Sequence, residues 1–173
     1  MARLLCVARW PEDGLDHPGD AVEFAIELTG VQDVPGQVPV AKWVECNTAL
    51  LAQSKADGPR RALIRGQGRI LGRDLRRLVD SLKALHERHL GSMTFVPVAP
   101  CFELWLQRLS DDQYRVIIWQ DLAGQLDGAS NIAHQGVRFT TNRARLLGFM
   151  QGLEAELNEL IGAPGQPTPS PTD

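Results

Sequence analysis

Several features that this 173-residue chain lacks already narrow its reading. Its three cysteines, Cys6, Cys46 and Cys101, are widely separated and never fall in a CxxC pair, so neither a disulfide framework nor a thiolate zinc site is indicated. A reducing cytoplasm is the expected compartment. Only five apolar residues lie between Arg3 and Arg9, too few for the core of a signal peptide and far short of a membrane span, so no membrane partner is expected. No charge of one sign dominates: 18 basic against 21 acidic side chains leave −3, which excludes a global field of the kind that coats nucleic acid. Lysine is scarce, three against fifteen arginines, and with abundant Ala, Gly and Pro this points to GC-rich codons and a bacterial source.

Catalytic signatures are missing too. Gly66-Gln67-Gly68-Arg69-Ile70-Leu71-Gly72 places its third glycine one residue late for a dinucleotide-binding turn, and no Gly-Lys-Ser/Thr follows to make a phosphate-binding loop. Glycines that allow a turn or bulge are the simpler reading. His86-Glu87-Arg88-His89 is not HExxH, and Arg88 brings positive charge beside the imidazoles, so no metal site and no cofactor is expected. His17 and His134 stand alone, with no serine or cysteine in a nucleophile setting such as GxSxG. Glu103 and Asp121 sit near the open end of an expected hairpin. Paired carboxylates there could do acid–base work, but polar residues at a sheet edge are the commoner case.

What remains is a pattern for folding. With 43% apolar residues, positions 1–162 fit one domain able to bury a core without staples. Residues 10–20 read as a loop. Val22, Phe24, Ile26 and Leu28 alternate with polar or small residues, as in a half-buried strand, and 40–51 and 61–65 read as two more. Between Gly72 and Gly91 the period changes: Leu75, Leu78, Val79, Leu82 and Leu85 share one face of a helix that Gly91 is expected to close. Further strands are expected at 93–98, 102–109, 114–122 and 132–140, with 110–113 a hairpin turn. Thr140, Thr141 and Asn142 are N-cap candidates for a second helix whose apolar face holds Leu146, Met150, Leu153, Leu157, Leu160 and Ile161, with Gly162 stopping it. Residues 163–173 contain four prolines and nothing to bury, and are expected to be a disordered tail. No internal repeat is visible. The expected fold is therefore α+β: an antiparallel sheet of about six strands with two amphipathic helices packed on one face.

Two surface features could carry function. Residues 60–77 hold seven arginines against Asp74 alone, a local charge of +6. Three of them open a helix, where the macrodipole disfavours cations by roughly 0.3–1 kcal/mol each. Compensation could come from the acidic stretch Glu12, Asp13, Asp16, Asp20, Glu23, Glu27 and Asp33, or Arg65, Arg69, Arg73, Arg76 and Arg77 could bind an external anion, including nucleic acid. The aromatics or helix motif that usually accompany nucleic-acid binding are not interleaved with them. Trp105 and Trp119 lie on two adjacent expected strands. Core packing is one account of them, and an aromatic recognition patch on the uncovered sheet face is the other.

The layout of a strand-rich first half, the helix Asp74-Leu75-Arg76-Arg77-Leu78-Val79-Asp80-Ser81-Leu82, the run Phe95-Val96-Pro97-Val98-Ala99-Pro100-Cys101-Phe102-Glu103-Leu104, a further strand and a closing amphipathic helix resembles the small WapI-type immunity proteins and related bacterial families over roughly residues 20–161. That resemblance implies a cytoplasmic protein that neutralises a toxin domain by contact rather than turnover, and it transfers no functional residue. The leading expectation is a non-enzymatic protein-binding factor, immunity- or antitoxin-like. The alternatives are an anion or nucleic-acid binding module built on residues 60–77, and a hydrolase assembled from scattered His and carboxylates. Oligomeric state is not indicated.

Overall fold

A computed structural model describes residues 1–7, 21–33, 42–53, 60–98, 101–121 and 134–162. The expected loop at 10–20, the expected tail at 163–173, His17 and the first four acidic residues of the acidic stretch lie outside them. Among the described residues, the elements in chain order are β1 (Ala2–Val7), β2 (Ala21–Asp33), β3 (Lys42–Gln53), β4 (Arg60–Leu71), α1 (Gly72–His86), β5 (Ser92–Phe95), β6 (Phe102–Arg108), β7 (Gln113–Asp121), β8 (His134–Asn142) and α2 (Arg143–Ile161).

The α+β class holds, but the single sheet of about six strands does not. The strands form two four-stranded antiparallel meanders, β1-β2-β3-β4 and β5-β6-β7-β8, each followed by one helix. Two elements account for the difference. β1 is a six-residue segment, apolar apart from Arg3 and too short to show a period by itself, yet it pairs along its whole length with β2, from Ala2↔Ile26 to Val7↔Ala21. β4 does not stop at Arg65: it runs through Gly66 and Gly68 to Leu71, with Cys46↔Gly68 and Val44↔Ile70 in register. The expected turn is thus strand through Leu71, and the helix follows at Gly72 without a loop. The architecture repeats, ββββα twice, although no sequence repeat announces it.

Inner faces follow the period of two. Phe24, Ile26 and Leu28 on β2, Val44, Cys46 and Leu50 on β3, and Ile64 and Ile70 on β4 are buried, as are Leu104, Leu106, Val116, Ile118 and Phe139 in the second sheet. They form one core with the leucine faces of both helices. Phe24 is the joint, its ring 5.2 Å from Phe102 of the second sheet and 6.2 Å from Phe149 of α2.

The helices do not share one face of one sheet. α2 lies along β1 and β2 and touches β8, while α1 lies beside α2 and reaches β3, β4 and β5. They run antiparallel, as three polar links show: Arg76 donates to Asn158 Oδ1 at 3.3 Å and to the carbonyl of Gly162, Lys83 Nζ meets Glu154 Oε1 at 2.6 Å, and Arg143 donates to His86 Nε2 and to its carbonyl, each at 3.3 Å. Gly72 opens α1, and a Cβ there would stand 3.0 Å from Ile161, so the helix ends approach closely because glycine is present. Asn142 caps α2 as expected, its Oδ1 accepting from the N–H of Arg145 at 3.0 Å. α1 ends earlier than Gly91. It stops at His86, and the left-handed residue behind it is Arg88, with φ 70°. In β2 the register shifts between Leu28 and Gly30, and the N–H of Leu28 donates to Glu156 Oε2 of α2 at 3.1 Å.

Candidate interaction faces

With both inner faces in one core, the outer faces are the sheet surfaces open to contact among the described residues. On the first sheet the register sets outward rows across the strands: Arg3, Ala25, Ala49 and Arg65, then Glu27, Asn47 and Gln67, then Gly30, Glu45 and Arg69. Alanines at the centre leave a depression of about 350 Å³ bordered by Arg3, Glu27, Asn47, Arg65 and Gln67. Much of this polar surface is engaged internally. Arg3 Nε lies 3.3 Å from Glu23 Oε1, Asn47 donates to Glu27 at 3.2 Å, and Arg69 donates to Gln32 at 3.0 Å.

The five arginines proposed as one binding cluster do not share one surface. Arg65 and Arg69 are exposed on the outer face of the first sheet, and Arg73 and Arg77 are exposed on α1. Arg76 turns to the end of α2, where the carbonyl of Gly162 and the side chain of Asn158 accept from it. The negative end of one helix thus offsets a cation at the positive end of the other. Arg77 lies 3.8 Å from Asp74, whose carboxylate is buried in the first turn. Of the acidic stretch, Glu23 meets Arg3 and Glu27 accepts from Asn47.

The second sheet presents a different outer face. Its rows are Thr94, Trp105, Ile117 and Arg138, then Glu103, Trp119 and Gly136, then Gln107, Arg115 and Thr140. Trp105 and Trp119 therefore point outward together, not into the core. Trp119 is 45% exposed, Trp105 and Ile117 are half-buried, and Val96, just beyond β5, is exposed. Gly136 seats the ring of Trp119, since a Cβ there would lie 2.3 Å from it. Arg115, Arg138 and Glu103 share this face with the aromatic centre, and Arg115 Nη1 donates to Gln107 at 3.4 Å. Sequence reasoning missed Ile117 and Gly136 as parts of this surface. The signal was present in their spacing of two residues from Trp119 and Arg138, but it needs the strand register to be read.

Other candidates disperse. Glu103 is opposite Trp119, so Asp121, the register partner of His134, is diagonal to Glu103. His86 accepts from Arg143, whereas His89 lies 3.8 Å from Glu87, so the two imidazoles have separate partners. Among the described residues, no group of three His, Cys, Asp or Glu could hold a metal ion, and no helix is long and apolar enough to cross a membrane.

Between the sheets lies a small polar seam. Gln120 Nε2 donates to Thr48 Oγ1, and the Thr48 hydroxyl donates to the carbonyl of Gly66 at 3.4 Å. Beside it, Cys46 Sγ lies 3.8 Å from Cys101 Sγ, and both are buried and outside any disulfide. The hydrogen bond to Cys101, then burial, pushes the Cys46 thiol well above the ordinary thiol range, so it stays protonated. The chain matches no known protein-family model and no curated protein.

Proposed function

We propose that the chain is a protein-binding factor that engages its partner through the outer face of the second sheet. The observation that carries this reading is Trp119: an indole 45% exposed, seated on Gly136, with Ile117 two residues before it on the same strand and Trp105 diagonal to it on β6. Tryptophan is the residue most enriched among interface anchors, and a rigid ring on a rigid strand loses little entropy on contact. The apolar centre of this face fits a partner that presents an apolar ridge. The resemblance to immunity proteins gives this reading its specific form, a toxin domain neutralised by contact in the cytoplasm.

The experiment is calorimetric titration of a WapI-type toxin domain with the wild type, Trp119→Ala and Arg65→Ala. Affinity is expected to fall by about 30-fold or more for Trp119→Ala, as for an interface anchor, and to change by less than about threefold for Arg65→Ala. Equal affinities for wild type and Trp119→Ala would overturn the reading.

A second reading, an anion or nucleic-acid binder, draws support from the exposed guanidinium of Arg65 at the rim of the depression on the first sheet. It predicts affinity for a nucleic-acid oligomer that falls steeply with salt. A flat dependence would reject it.

A further inference from the structure

We propose that Cys46 and Cys101 form an oxidation site, at which a low-molecular-weight disulfide converts the two thiols into one internal disulfide joining the two ββββα units. Three observations converge. The cysteines come from different units: Cys46 lies on the inner face of β3, and Cys101 immediately precedes β6. Their sulfurs are already 3.8 Å apart inside the protein. Closing to a bond of about 2.05 Å needs a sulfur movement of only about 2 Å, within reach of side-chain rotation. The third observation is the residue that brings them together. Gly68 is the register partner of Cys46, and a Cβ on it would stand 2.4 Å from the Cβ of Cys101. Any larger residue at 68 would hold the second unit away. The glycine that resembled part of a nucleotide-binding turn is, in the fold, the seat of this pair.

The chemistry balances without a metal. Cys101, the less buried of the two at 9% exposure against 2% for Cys46, loses its proton and attacks the small disulfide, forming a mixed disulfide and releasing one thiolate. Cys46 then gives up its proton to solvent and attacks Cys101 Sγ, releasing the second thiolate. Two protein thiols are oxidised, and one small disulfide is reduced to two thiols. Burial and the mutual hydrogen bond that keep Cys46 protonated make the step slow, so the dithiol is the resting form in a reducing compartment. Once formed, the link spans 55 residues of chain and fastens the seam where Gln120 meets Thr48.

The test is incubation of the intact, folded protein with oxidised glutathione, followed by mass spectrometry and a thermal melt. The expected product has lost two hydrogens, and tryptic digestion without reductant joins the peptide 43–55 to the peptide 89–108. Its melting temperature rises by about 10 °C, as a link closing a loop of this length implies, and reductant reverses the rise. Cys6→Ser is expected to retain the product, and Cys46→Ser and Cys101→Ser each to abolish it. Gly68→Ala is expected to suppress it while leaving both thiols titratable in denaturant. A stable glutathione adduct, a link to Cys6, or an unchanged mass would each overturn the proposal.

Discussion

The two sheets share a topology, a following helix and a common core, yet their outer faces differ. The first sheet turns charges and amides outward and engages many of them internally, Arg3 with Glu23, Asn47 with Glu27 and Arg69 with Gln32. The second turns Trp105, Ile117 and Trp119 outward. Folding requires only the inner faces to be apolar, since one apolar side per strand is enough to drive burial. The apolar residues on the second sheet's outer side are therefore not required by that burial, and the proposed partner contact rests on them.

The largest effect is expected where the two units are joined. Phe24→Ala should lower unfolding free energy by about 3–5 kcal/mol, because its ring fills the space between Phe102 and Phe149. Urea unfolding followed by circular dichroism and by tryptophan fluorescence should shift together. Separate midpoints would mean that the halves are independent and that the common core is misread. Next comes Gly68→Ala, expected to cost about 1–3 kcal/mol, because the new methyl meets the Cβ of a buried cysteine rather than a flexible tip. A neutral change would show that the sheets can part at that seam.

Gly136→Ala tests the opposite face. The clash there is with the exposed ring of Trp119, which can swing aside, so the expected stability loss is below about 1 kcal/mol with a red-shifted emission. A loss as large as that of Gly68→Ala would show that Trp119 is structural and weaken the comparison between the two faces. Smallest of all is Arg65→Ala, exposed on the first sheet, for which a change within about 0.5 kcal/mol is expected in the same urea titration.

Much of the fold was legible in the sequence where one period governs a long segment. The leucine spacing of α1 and the alternation of β2 describe faces that are buried as expected, and Asn142 caps α2 because a side-chain acceptor at that position satisfies a free N–H. Phe149 escaped the apolar face read for α2 but is buried in it. β1 was missed because six residues carry too little pattern, and β4 was cut short because Gly66 and Gly68 carry the local signal of a turn. In the fold they are strand residues without side chains, making room for Thr48, Gln120 and Cys101. The arginine cluster was contiguous in sequence but not in space, since neighbouring residues on a strand and then a helix point in different directions.

The sequence alone determined the α+β class, the two amphipathic helices and the alternation of the central strands, because those follow from local periodicity and capping. Only the tertiary structure decided that the strands divide into two sheets, that Trp105 and Trp119 share an open face, and that Cys46 meets Cys101. Each of these depends on strand register and on contacts between residues far apart in the chain, which no local pattern specifies.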